Sequence, residues 1–340
     1  MKRVVILIIG IFWAMSSIAQ QDAQYSFYMF NNLYFNPAYT GKKEALHFEV
    51  LHREQWRFFN VGDRIEGAPQ STSFSIHSPF KRSNNALGFN FHNDIIGPYK
   101  TYDFGINYAY RIPLGTKLKL SIGVRGSYKL YQVDNVRFLD PDQVGSQLNS
   151  FPNINTFNFG AGIYLWNKRD RFYVGFSVPH LLNNKLYHDQ TVNHNSNNAQ
   201  EYRHYFLTGG LVVGKLDGGK FKFYPSFMMK FVKHTPIDFD VNANFLLFER
   251  LWLGAGYRFG GNFYTNNKEV KVGKGSAVIG MIKAMVVKNL EIGYAYDYTL
   301  SDLGDYENGS HEFLINFKFD RKRDAFDNQR ITTPRYINYF

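Results

Sequence analysis

The strongest constraint on this chain is a period of two. Tyr102, Phe104, Ile106, Tyr108 and Tyr110 alternate with Asp103, Gly105, Asn107, Ala109 and Arg111. Ile237, Phe239, Val241, Ala243, Phe245 and Leu247 alternate in the same way with Asp238, Asp240, Asn242 and Asn244. Successive residues of a strand point to opposite faces, so this pattern predicts strands with one apolar and one polar face. It recurs from about residue 44 to residue 319 without an amphipathic helix of comparable length. A soluble sandwich shares the alternation but is usually smaller or divided into domains, and no linker separates these runs. The expectation is an all-β fold, a transmembrane antiparallel β-barrel whose apolar face meets lipid.

The first residues agree with export. Lys2 and Arg3 precede an apolar run from Val4 to Trp13, then Ser16, Ser17 and Ala19. That order matches a secretory signal peptide over residues 1–19, cleaved between Ala19 and Gln20. The apolar run is about ten residues, half of what a spanning helix needs. No cysteine occurs anywhere, which excludes lipoprotein acylation, a disulfide-stapled domain and a thiolate metal site. Aromatic residues make up 18% of the chain, yet mean hydropathy is −0.34, as expected where lumen-facing residues dilute a lipid-facing set. The formal net charge of +11 is spread along the chain and reads as solvated loops and termini facing headgroups or acidic partners. No nucleic-acid module is visible.

Fourteen strands are expected, over 44–54, 69–79, 85–92, 101–112, 117–131, 155–167, 171–178, 202–215, 220–232, 236–248, 250–260, 275–287, 289–300 and 309–319. Bacterial barrels have short periplasmic turns and long outer loops. With the N-terminus in the periplasm, the long connections 55–68, 132–154, 179–201 and 261–274 all fall outside. The even connections, such as Pro113–Thr116 and Phe248–Glu249, are brief. Lys233–Thr235 is a short exception on the outer side. An even strand count then leaves both termini periplasmic. Outside the barrel, residues 20–43 form an N-terminal periplasmic or plug segment, and 320–340 a basic periplasmic tail. Asp103, Arg111, Arg125, Asp238, Asp240, Arg258, Glu291 and Asp297 fall on polar strand faces, predicting a lumen lined with charge pairs in preference to a charge filter.

No catalytic, cofactor-binding or metal-binding set emerges. Gly214-Lys215-Leu216-Asp217-Gly218-Gly219-Lys220 has phosphate-loop spacing, but Phe221 replaces the Ser or Thr that binds magnesium, so Asp217–Gly219 reads as a hairpin turn. Gly254-Ala255-Gly256 lies within a strand. Gly175-Phe176-Ser177-Val178-Pro179 lacks the second glycine of a nucleophile elbow. His188, Asp189 and His194 read as exposed loop residues, and Asp140, Asp142 and Gly145 lack the closing Glu of a calcium loop.

Several short motifs, in order, resemble the PorP/SprF family of the Bacteroidetes type IX secretion system. They are Gln24-Tyr25-Ser26-Phe27-Tyr28-Met29, Asn36-Pro37-Ala38-Tyr39-Thr40-Gly41 and Arg53-Glu54-Gln55-Trp56. Further similar elements are the loop Asn93–Pro98, Tyr108–Arg111, Tyr173–Leu182 and Ser310-His311-Glu312-Phe313, so the match spans about 24–319. Tyr25, Met29, Asn36, Pro37, Tyr39, Gly41, Gln55 and Trp56 are the family-motif positions. The resemblance implies an integral outer-membrane protein of a Gram-negative bacterium, without enzymatic activity, that supports export or surface attachment of a cargo such as a gliding adhesin. It implies periplasmic ring lipoproteins, or a large secreted surface protein, as partners. A passive or substrate-selective channel is the alternative. Members of the family commonly end at the last strand, whereas this chain continues. Phe319 is therefore the expected assembly signal, with Phe340 second. In the tail, Arg321, Lys322, Arg323, Arg335, Tyr336 and Phe340 are candidate partner-docking residues.

Overall fold

The computed structural model describes residues 24–55, 68–133, 153–186, 200–214, 220–233, 235–262, 271–300 and 308–319, without the side chains of 261–274. Fourteen antiparallel strands close into one barrel, each paired with its sequence neighbours, and the last with the first. The first seven are β1 (Leu46–Gln55), β2 (Gln70–Pro79), β3 (Asn85–Ile96), β4 (Tyr99–Leu114), β5 (Leu118–Val133), β6 (Ile154–Asn167) and β7 (Phe172–Val178). The remainder are β8 (His204–Leu211), β9 (Phe221–Val232), β10 (Ile237–Leu247), β11 (Leu251–Asn262), β12 (Lys271–Val287), β13 (Leu290–Thr299) and β14 (Ser310–Phe319). Closure runs from Leu46↔Phe319 to Gln55↔Ser310, so no edge strand is left at the seam.

The period of two becomes two chemical faces. Along β4, Phe104, Ile106, Tyr108 and Tyr110 are exposed, Ile106 by 62%, while Asp103, Asn107 and Ala109 between them are buried. Exposed apolar side chains recur around the wall, including Val124, Phe157, Phe159, Val241 and Ile282. On a soluble protein such a continuous apolar surface would drive association; here it is the lipid-facing band. Among the described residues no helix is long and apolar enough to cross a membrane.

One mouth carries the short turns β2–β3, β4–β5, β6–β7, β10–β11 and β12–β13, and there β8 also passes to β9. The other carries the long connections. Three boundaries depart from expectation by four residues, one of them the start of β12 at Lys271 and not 275. Residues 93–96 continue β3, pairing Asn93 with Thr72 and Asn93 with Tyr102 on the two sides, so the third connection is only Gly97-Pro98. In β8 the ladder ends at Leu211, not 215; Gly214 has φ +122, and Val213 makes an isolated bridge to Phe223.

The wall is notched where β7 is short. β7 pairs with β6 only from Ala161 to Trp166, leaving residues 154–160 of β6 without a strand on that side. The chain after β7 covers this edge. Leu181 N–H donates to Phe159 O at 2.7 Å, and Asn184 Nδ2 donates to Phe157 O at 3.0 Å. Asn158 Oδ1 accepts from the N–H groups of Phe159 and Leu182. Buried backbone groups must be paired, and asparagines do here what a neighbouring strand does elsewhere.

Candidate functional site: a filled lumen

The lumen is occupied by residues 24–43. A run of turns over Ser26–Phe30 leads into a single helical turn, α1 (Asn32–Phe35), and then a 3-10 turn, Pro37–Tyr39. Neither is long enough to be stable alone. Their stability comes from enclosure. Tyr25, Phe27, Tyr28, Phe35 and Tyr39 are almost completely buried, together with Met29 and Leu33, against Tyr164, Trp166, Phe206 and Trp252 of the wall. Burying each such side chain contributes about 1.5–3 kcal/mol. Phe30 packs edge-on to Trp252 at 5.2 Å, and Lys283 Nζ lies 3.8 Å from the centre of the Phe30 ring.

The segment is fastened at the loop-bearing mouth by charge. Glu312, third residue of β14, accepts the backbone N–H of Ser26 through Oε2 and that of Phe27 through Oε1, both at 2.8 Å. Ser26 Oγ donates to Asp297 at 2.5 Å. Arg53 bridges the two acids, 2.8 Å from Asp297 and 3.2 Å from Glu312. Arg258 extends the network from Asp297 at 3.1 Å to Asp240 at 2.6 Å. Gln24 Nε2 donates to Asp238 at 2.9 Å, and the Tyr25 hydroxyl meets His92 Nδ1 at 3.0 Å. Charge-assisted bonds within a buried site are stronger than neutral ones, and each acid here has a cation or an amide donor.

Midway, fit replaces charge. Gly123 of β5 lies so close to the segment that a Cβ there would overlap Ala38 N and Pro37 C. Gly162 of β6 faces Asn36 Oδ1 in the same manner. Asn36 Nδ2 donates to Ile163 O at 3.0 Å, and Ser177 Oγ donates to Phe35 O at 2.8 Å. At the short-turn mouth, Gly41 N–H donates to His77 at 3.1 Å, Arg111 donates to Gly41 O at 3.1 Å, and Lys42 pairs with Asp170 at 3.0 Å. The segment therefore runs the length of the lumen, from Gln24 at the loop-bearing mouth to Lys43 at the turn-bearing one. Leu46 and Phe319 share the turn end, as the strand count requires. The count alone misplaces residue 24, because it does not know that the chain before β1 doubles back through the barrel. The two ends of the described chain lie at opposite mouths.

Ionisation reflects this packing. Burial, with Lys42 and Lys283 nearby, lowers Lys43 to about 7. Burial raises the Tyr39 hydroxyl well above the ordinary phenol range, with Glu49 and Asp170 adding to it. In the notch, burial would raise Glu201, but Lys129, with hydrogen bonds from Tyr131 and Asn158, holds it below the ordinary carboxylate range. Lys129 Nζ is 3.2 Å from Glu201.

The motif residues sort into two groups. Tyr25, Met29, Asn36, Pro37, Tyr39 and Gly41 all belong to the lumen segment and are buried. Gln55 closes β1 opposite Ser310. Trp56 lies outside the described residues, as do Ala19, Gln20, Asp140, Asp142, Gly145, His188, Asp189, His194 and the tail residues Arg321, Lys322, Arg323, Arg335, Tyr336 and Phe340. The turn expected at Asp217–Gly219 also lies outside them. Phe319 ends β14 and is 50% exposed. The lumen charges named from strand faces are joined in ion pairs, Arg125 with Asp103 at 2.8 Å among them, except Arg111, which donates to the backbone carbonyls of Gly41, Ser83 and Asn84. Sequence reasoning did not single out Glu312, Arg53 and Ser26 as one cluster. The only signal was their membership of short motifs far apart in the chain. Among the described residues no group of three or more His, Cys, Asp or Glu is placed to hold a metal ion.

A closed, even-stranded antiparallel barrel with an apolar belt and a polar lumen filled by its own N-terminal segment defines an integral outer-membrane protein. Within that class, residues 17–317 match the model of the family described as type IX secretion system membrane protein PorP/SprF, and the chain belongs to that family. No curated protein matches it. Among solved structures it is similar to the CymD monoaromatic hydrocarbon channel, at 10% identity and TM-score 0.52, over 86% of this chain and 93% of that one. It is also similar to the Acinetobacter baumannii outer membrane protein Omp33, at 9% identity and TM-score 0.42, over 81% and 99% of the two chains. At such identities the likeness concerns fold alone.

Proposed function

We propose that this outer-membrane component of type IX secretion works without enzymatic chemistry, through protein contacts. It supports export or surface attachment of a cargo, such as a gliding adhesin, by engaging periplasmic ring lipoproteins, the cargo, or both. The observation carrying this reading is the lumen segment, bonded to the wall at both mouths and packed between them. A conduit filled along its length offers its outer rims and loops for work, not its bore. In the proposed orientation the short turns face the periplasm. Residues 1–19 are removed as a signal peptide, Phe319 serves as the assembly signal, and Arg321 to Phe340 dock on a periplasmic partner.

A pull-down from membranes, with a tag placed in the loop 188–196, tests the reading. Ring lipoproteins in the eluate would support a core role, and one giant surface protein a cargo-specific one. Recovery of neither would overturn it. Truncation after Asp320 that leaves assembly, secretion and all co-purifying proteins unchanged would remove the tail from the proposal. Steady conductance of the purified full chain in planar bilayers would favour the channel instead.

A further inference from the structure

In sequence the cations look scattered. The fold gathers them. Every strand join at the short-turn mouth carries at least one exposed Lys or Arg. The β2–β3 turn has Lys81 and Arg82, the β4–β5 turn Lys117, and the β6–β7 turn Arg169 and Arg171. The β8–β9, β10–β11 and β12–β13 joins follow with Lys220, Arg250 and Lys288. Because these joins occur at every second strand, the charges encircle the barrel.

The acids of this rim, among the described residues, are fewer than its cations. Among the described residues, Asp170 pairs with Lys42 in the lumen at 3.0 Å, and Glu249 with the buried Lys222 at 2.7 Å. Glu44 is bonded to Lys119 of the wall. Each carboxylate is thus engaged by another lysine, leaving the outer rim cationic.

The depth of the rim selects the partner. Phe80 adjoins Lys81, Phe221 adjoins Lys220, Val287 adjoins Lys288, and Phe248 lies two residues before Arg250. These apolar neighbours are exposed, Phe248 by 68%, and Phe319 ends β14 at the same mouth. Exposed aromatics at a barrel's end mark the membrane interface, and a cation one or two residues beyond them stands at phosphate depth. We infer that the short-turn rim is a binding belt for anionic phospholipid headgroups, with the turn cations on the lipid phosphates and the Phe side chains on the glycerol and upper acyl region. An acidic protein seated on the mouth would need the cations but not the apolar ring immediately behind them.

In the orientation proposed above this rim meets the inner leaflet; the belt's chemistry and its test do not depend on that orientation or on a role in secretion. The full chain is reconstituted in mixed vesicles of phosphatidylglycerol and phosphatidylcholine, and the lipids in contact with it are identified by mass spectrometry after mild extraction. Phosphatidylglycerol should be enriched on the order of threefold or more, and the enrichment should fall as salt screens the rim. Neutralising K81Q, R82Q, K117Q, R169Q, R171Q, K220Q, R250Q and K288Q together should abolish it, whereas K185Q, R203Q and K233Q at the other mouth should leave it intact. If the eightfold variant does not assemble, the pairs K81Q/R82Q and R169Q/R171Q should each lower the enrichment in part. No enrichment for the natural chain, or enrichment indifferent to these variants, would overturn the belt. So would photo-crosslinks from positions 82 and 169 in native membranes that capture an acidic protein and no lipid.

Discussion

Ser26 donates its backbone N–H to Glu312, joining the first turn of the lumen segment to the strand that closes the barrel. Glu312 also takes the Phe27 amide and pairs with Arg53 of β1, so one side chain ties the segment to both strands of the seam. Removing one member of a buried charge network leaves the others unpaired and typically costs about 3–5 kcal/mol. Glu312→Ala should lower the unfolding midpoint of the reconstituted protein by an amount in that range. Glu312→Gln, which keeps an acceptor for one amide, should cost less. Urea titration followed by tryptophan fluorescence measures both, and equal losses would show that charge is irrelevant to the fastening.

Gly123 and Gly126, three residues apart on β5 and so on its lumen and lipid faces, make a controlled comparison. A Cβ at Gly123 overlaps the backbone of Ala38, whereas one at Gly126 meets nothing within 4 Å. Overpacking costs about 1–3 kcal/mol where the neighbour is backbone and cannot rotate away. Gly123→Ala should therefore loosen the segment, seen as faster protease cleavage within residues 24–43, and Gly126→Ala should not. Equal behaviour of the two variants would mean that the segment does not rest on β5.

Much of this was legible beforehand, and the exceptions have physical causes. The strands were visible because lipid on one side and a polar lumen on the other impose the period of two. Asn93 and Asp94 read as loop residues because β3 there projects toward the loop-bearing mouth, where the outward face need not be apolar. The lumen segment has no period to read. Its aromatic residues Tyr25, Phe27, Tyr28 and Phe30 follow no strand or helix spacing because they pack against a wall that surrounds them on all sides. The cationic rim was illegible for another reason. Lys81, Arg169 and Lys288 are far apart in the chain and become neighbours on one ring only when the strands are aligned.

Lys43 sets a pH dependence whose sign is fixed by its environment. Burial, with Lys42 and Lys283 close by, takes its ammonium from an ordinary 10.5 to about 7 in the folded chain. Between those values the unfolded chain binds a proton that the folded chain does not, so stability rises with pH through that window. The penalty is complete below about 7 and relieved above 10.5, and it amounts to several kcal/mol, at about 1.4 kcal/mol per unit. Lys43→Met should raise the unfolding midpoint at pH 7 and flatten the difference between pH 7 and pH 10. A variant with the same slope as the natural chain would assign that slope to other groups.

The lumen segment should also be what closes the bore. Residues 24–40 place Tyr25, Tyr28, Phe30, Phe35 and Tyr39 across the section of the barrel, each buried. Without them, Arg53, Asp297, Arg258 and Glu312 would line an open passage, and the fourteen-strand wall would still close through β1 and β14. Deletion of 24–40 should therefore turn a silent protein into one with steady single-channel steps in planar bilayers. Glu312→Ala, which only loosens the fastening, should give brief openings of smaller total charge passed. A deletion variant that assembles, judged by heat-modifiable mobility on gels, and remains silent would show that other parts of the chain seal the lumen.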